Sequence, residues 1–129
     1  LSGIKGLPDN KRVVSATLAK VREIQAALSK IVPKKNQKEF AHYHLQIDFR
    51  EYYLSFRQIQ YLVQSTAFSE KNNIEAIKQL EQLLARSVEL NKRFKKLFTG
   101  KLYDTEIERL NQYRNKKAIL LHQRLTRDR

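Results

Sequence analysis

Few residues in this chain have the types and spacing that chemistry requires. His42 and His44 stand two apart, which on a helix points their rings away from each other and argues against a shared metal. His122 stands alone beside Arg124, and Arg114 lies eight residues from it, farther than the arginine–histidine pairing of helical ribonucleases. Glu106 and Glu108 read as the capping carboxylates of a helix start. There is no cysteine, hence no thiol nucleophile, disulfide frame or zinc–cysteine site, and no glycine-rich phosphate loop occurs. The expectation is a protein that is not an enzyme and has no cofactor and no metal. What remains as chemistry is charge.

The 26 Lys and Arg oppose 13 Asp and Glu, a formal net charge of +13, and the excess is concentrated. Residues 5–38 carry nine basic side chains against Asp9 and Glu23, residues 86–101 carry six against Glu89, and residues 109–129 carry seven against Asp128. Between them, residues 39–85 set Arg50, Arg57, Lys71 and Lys78 against Glu39, Asp48, Glu51, Glu70, Glu75 and Glu81, a slightly acidic balance. Positive potential confined to part of a surface suits a polyanion, because neutralised phosphates release condensed counterions. A merely solubilising surface would mix the two signs more evenly.

The elements that position these charges read as helices throughout, in a chain of ordinary single-domain length. Three Gly and two Pro, with the polar clusters, divide it into a loose leader over residues 1–8 and a single four-helix domain over residues 9–129. Asp9 or Asn10 caps a first helix that carries Val14, Leu18, Val21, Leu28 and Val32 and stops at Pro33. A second helix, about Gln37 to Thr66, has an apolar stripe of Leu45, Phe49, Tyr52, Phe56, Ile59 and Val63. After a polar break at Ser69 to Asn73, a third repeats Leu80, Leu83, Ser87, Leu90, Phe94 and Leu97 as a heptad seam and ends at Gly100, with Ser87 and Asn91 as polar interruptions suited to a helix contact. Thr105 and Glu108, in capping-box spacing, open a fourth through Ile107, Leu110, Ala118, Leu121 and Leu125. Short connections make the expected fold all-α, an antiparallel up-down-up-down four-helix bundle.

In that topology the first and third connections share one end of the bundle. Lys30, Lys34, Lys35 and Lys38 then meet Lys92, Arg93, Lys95, Lys96 and Lys101 at one pole, with Tyr103 beside them. Neighbouring first and fourth helices would continue the patch from Lys20 and Arg22 into Arg109, Lys116, Lys117 and Arg124. Cations near helix C-termini are favourable without any ligand, which accounts for part of this clustering but not for nine at one pole. Arg50 and Arg57, on the neutral second helix, are expected to matter much less. Tyr43, Tyr53, Tyr61, Tyr103 and Tyr113 lie off the main apolar stripes, and interleaved with basic residues such rings favour RNA or single-stranded DNA over a duplex groove.

A first helix ending in Val32, Pro33, Lys34 and Lys35, a long second helix, and a third and fourth joined through Leu97-Phe98-Thr99-Gly100-Lys101-Leu102-Tyr103-Asp104 resemble the accessory variability proteins of diversity-generating retroelements. The resemblance implies a basic four-helix bundle, a homo-oligomer, and work beside a reverse transcriptase and its template RNA. A small helical subunit of a CRISPR effector complex looks similar in size, helicity and basicity. A different class is a secreted basic bundle acting on acidic glycans or anionic membranes. The chain has no Met, so Leu1 reads as a processed or trimmed start, and no run approaches the roughly 18 apolar residues of a membrane span. The expected location is the cytoplasm, with secretion as the alternative.

Overall fold

A computed structural model describes residues 2–64, 70–98 and 115–127 of the chain. Within them the protein is all-α and has four helices: α1 (Ser2–Leu28), α2 (Gln37–Gln64), α3 (Glu70–Leu97) and α4, described over residues 115–127. The expected start of α4 at Thr105 lies outside the described residues.

Three boundaries differ from the sequence expectation, each for a local reason. α1 begins at Ser2, ahead of the Asp9 or Asn10 cap. Gly3 and Gly6 weaken a helix without forbidding it, and Pro8, more than a turn in, removes one backbone hydrogen bond. At the other end α1 stops at Leu28 rather than Val32. The Ser29 hydroxyl donates to the Ala26 carbonyl at 2.8 Å. The amides of Lys30 and Ile31 then donate to Ala27 and Leu28, three residues back, tightening the final turn. Val32 precedes a proline and is biased away from helical backbone. α3 starts at Glu70, inside the expected polar break, since Glu and Asn suit a helix start.

The connection into α2 turns on Asn36, whose φ of 54° lies in the left-handed region that asparagine tolerates better than most residues. Its carbonyl accepts the Phe40 amide at 3.0 Å, the first bond of α2.

The apolar stripes read from the sequence form the core. Leu45, Tyr52 and Ile59 of α2 meet Ala76, Ile77, Leu80, Leu83 and Leu90 of α3 and Ala118 and Leu125 of α4, with Phe49, Phe56, Phe94, Leu97 and Leu121 half-buried around them. α1 buries Leu18, Val21 and Leu28 on α2, whereas Val32 at its trailing end is exposed.

α2 packs against both α1 and α3. Ser15 meets Gln58, Arg22 meets Glu51 and Ser55, and Gln25 meets Asp48, so numbers rise on α1 as they fall on α2. The same reversal joins α2 to α3 through His42–Phe98, Phe49–Phe94 and Glu51–Arg86. It joins α3 to α4 through Ser87–Asn115 and Glu81–His122. Because Leu83 is 1% exposed at the centre of this core, Leu83→Ala is expected to cost about 2–5 kcal/mol. Phe56→Ala should cost less because Phe56 is only half-buried, and Lys96→Ala should leave the unfolding midpoint unchanged. Urea titrations read all three, and equal losses at Leu83 and Lys96 would contradict the assignment of faces.

Candidate functional site

The polar geometry centres on two carboxylates of α2. Asp48, Glu51 and Ser55 follow at steps of three and four and so share one face of the helix. Arg86 and Arg93 are seven apart on α3 and also share a face. Arg86 Nη1 reaches Glu51 Oε1 at 2.9 Å, the Ser55 hydroxyl donates to Oε2 at 2.7 Å, and Arg22 Nη2 approaches Oε2 at 3.4 Å from α1. One turn away Arg93 Nη1 donates to Asp48 Oδ2 at 2.6 Å, Gln25 Nε2 donates to Oδ1 at 2.8 Å, and His44 Nδ1 lies 2.9 Å from Oδ2.

A carboxylate as buried as Glu51, whose side chain is 6% exposed, would cost several kcal/mol to desolvate alone. Charge-assisted hydrogen bonds of about 1.5–3 kcal/mol each offset that cost. Arg22 and Arg86, roughly half exposed, keep part of their hydration while doing so. The sequence reading missed this network, although Asp48 and Glu51 on one face of α2 and Arg86 and Arg93 on one face of α3 were its visible signal. Ser87, singled out in the sequence, accepts from the Asn115 side chain at 3.2 Å, and Asn115 in turn accepts from the Tyr52 hydroxyl.

These pairs sort the basic residues into two kinds. Arg22, Arg86 and Arg93 are paired with the carboxylates of α2, so Arg93, expected at the pole as a phosphate contact, is held by Asp48. Lys30, Lys34, Lys35, Lys38, Lys92, Lys95 and Lys96 are exposed, and none has an ion-pair partner among the described residues.

An aromatic seam brings these lysines to one end. The rings of His42 and Phe98 lie 4.8 Å apart, those of Phe94 and Phe98 4.6 Å, and those of Phe40 and His44 6.1 Å. This seam ties the start of α2, with Lys30 to Lys38 just ahead of it or in its first turn, to the last turns of α3, where Lys92, Lys95 and Lys96 stand.

The remaining expected site residues are placed otherwise. Lys101, Tyr103 and Arg109 lie outside the described residues, as does Tyr113. Lys116 and Lys117 follow Asn115, which is level with Ser87, and run away from Lys95, so along α3 they are about 14–15 Å from it. Arg124 lies beyond His122, which pairs with Glu81, and is on the order of 24 Å from Lys95 by the same measure. Arg22, expected to lead the patch from α1 toward α4, pairs with Glu51 while its side chain stays about half exposed. Tyr61 is buried, and Tyr43 and Tyr53 are about half exposed.

Among the described residues no group of His, Asp and Glu is arranged to hold a metal ion, and no helix is long and apolar enough to cross a membrane. No family model, curated protein or solved structure matches the chain.

The shared carboxylate has a measurable signature. Arg22→Ala or Arg86→Ala alone leaves Glu51 one arginine, whereas the double variant leaves it buried with Ser55. The double loss is expected to reach about 3–5 kcal/mol and to exceed the sum of the single losses in urea unfolding. Additive losses would show that the two arginines do not serve one charge.

Proposed function

We propose that the chain is a non-catalytic nucleic-acid-binding protein, an antiparallel up-down-up-down four-helix bundle whose lysine-rich end holds the phosphate backbone of RNA or single-stranded DNA. The observation that carries this reading is the division of labour among the cations. The arginines nearest the carboxylates are consumed by them, and seven lysines at one end stand exposed with no ion pair among the described residues. The reversed order of contacts between successive helices supports the bundle topology.

Lysine is a compact, strongly hydrated point charge on a flexible stem, suited to a backbone whose conformation varies. Several such charges within a Debye length of about 8 Å act as one potential and release counterions together. With no catalytic arrangement in the sequence, the fitting role is an accessory subunit of a larger nucleoprotein machine, such as a retroelement reverse transcriptase complex in the cytoplasm. A homo-oligomer that multiplies the lysine-rich end agrees with that role.

Filter binding tests the electrostatic core of the proposal. Log K for single-stranded RNA or DNA should fall by roughly 0.7 per neutralised phosphate against log salt, with several phosphates engaged. Lys34→Glu with Lys35→Glu, and Lys95→Glu with Lys96→Glu, should weaken binding by similar factors although the pairs are about 60 residues apart in sequence. Lys71→Glu with Lys78→Glu, toward the other end of α3, should matter much less. Equal losses in all three variants would mean that net charge alone drives binding. Equal affinity for anionic vesicles or acidic glycans would favour the secreted class.

A further inference from the structure

The pairing of Asp48 and Glu51 has a consequence on the opposite side of α2. With those carboxylates turned inward, the exposed residues between positions 39 and 57 are Glu39, Tyr43, Gln46, Arg50, Tyr53 and Arg57. Their steps are four, three, four, three and four, so they form one outward line along the helix. Tyr43 is 48% exposed and Tyr53 50%. Neither Arg50 nor Arg57 has an ion-pair partner among the described residues. The Tyr52 and Tyr53 rings are nearly perpendicular, with centroids 6.0 Å apart at 81°, a contact that restricts the orientation of an otherwise half-exposed Tyr53. A helix whose charges sum to zero thus presents a face on which tyrosine and arginine alternate, and Arg50 and Arg57, expected from that balance to matter little, are the cations of that face.

We propose that this stripe is a stacking platform for a single strand of nucleic acid, with Tyr43 and Tyr53 each taking the face of a base and Arg50 and Arg57 taking phosphates. The inference rests on the nucleic-acid reading above and extends it to a second surface that prefers single strands.

Three features of the stripe select this occupant. Tyr43 and Tyr53 are ten residues apart, about 15 Å along a helix, or roughly four nucleotide steps of 3.4 Å if the strand keeps its bases stacked. Arg50 stands between the two rings and Arg57 one turn beyond, so basic and aromatic groups alternate along the path of a backbone. The stripe also starts beside the lysines. Lys34 and Lys35 precede the first turn of α2 and Lys38 lies within it, so a strand held there continues onto Tyr43 without leaving positive potential, Glu39 being the one opposing charge in the line. A duplex has its base faces already stacked and offers the tyrosines nothing. A second copy of the same stripe would bring like charges together.

The chain has no tryptophan, so Tyr43→Trp or Tyr53→Trp installs a unique fluorophore that retains a stacking ring. Each variant is titrated with oligo-dT, oligo-U, a DNA duplex of equal length and poly-glutamate. The expected result is quenching by the single strands only. Tyr43→Ala and Tyr53→Ala should each lower single-strand affinity roughly 5- to 100-fold with the salt slope unchanged, and Tyr→Phe at either site should restore it. Arg50→Gln with Arg57→Gln should reduce the salt slope by about 1.4, two phosphates at 0.7 each.

Wild-type affinity in both alanine variants, while Lys95→Glu with Lys96→Glu abolishes binding, would overturn the stripe and leave the lysine site standing. Quenching by duplex or poly-glutamate equal to that by oligo-dT would overturn it as well. No binding of any nucleic acid by the wild type would overturn both readings. The tryptophan titrations do not depend on the alanine variants, so the proposal stays open to refutation even if Tyr53→Ala weakens the fold through Tyr52.

Discussion

The arrangement of this protein depends on the burial of two carboxylates of α2. Glu51 is nearly closed off from water, and a lone carboxylate there would cost more than its neighbours return by packing. It is tolerable only because Arg86 of α3, Arg22 of α1 and Ser55 of its own helix all reach it, with Asp48 held in the same way by Arg93 and Gln25. Three helices are thereby committed to one relative position. Apolar packing drives association of the stripes but is indifferent to small slips along the axis. A pair of hydrogen-bonded carboxylates a turn apart is not, because a slip of one residue would separate each from its donors.

The same pairs decide which cations face outward. Arginine has a planar, weakly hydrated guanidinium that binds carboxylates with little loss of solvation, and arginine is what α1 and α3 place at the buried acids. The lysines carry their charge on long stems and keep it in water at the end of the molecule where α1 passes into α2 and α3 ends. Neutralising the two inward carboxylates of α2 therefore shapes the outer potential as well as holding the core. It leaves a lysine-rich end, and on the back of α2 a face whose arginines are unopposed apart from Glu39.

Aromatic residues divide along the same line. Phe49, Phe94, Phe98 and the histidines near them form the seam between α2 and α3, so their rings are occupied by one another. Tyr43 and Tyr53, on the far face of the same helix, are not enclosed in this way. Rings of one chemical type thus serve packing or remain open to a ligand according to which side of α2 they occupy, a distinction worth about 100° of rotation per residue.

Much of the fold was legible in the sequence. The apolar steps of α2 and α3 identified Leu45, Tyr52, Ile59, Leu80, Leu83 and Leu90 as core positions, since a period of 3.6 leaves little choice of which side is buried. The concentration of lysines around positions 30–38 and 92–96 was equally plain. The ends of α1 were less so, because Ser29, Pro8 and the glycines act through backbone hydrogen bonds that periodicity does not register. The roles of individual arginines were not legible at all. Arg93 and Lys95 are two residues apart and alike in formal charge, yet one is bound to Asp48 and the other is exposed. Charge in a sequence is a sum over a segment, whereas a salt bridge depends on which faces of two distant helices meet. Composition and spacing therefore determined the helices, their buried sides and the total charge. Only the packing of α1 and α3 onto α2 decided which charges cancel and which remain for a partner.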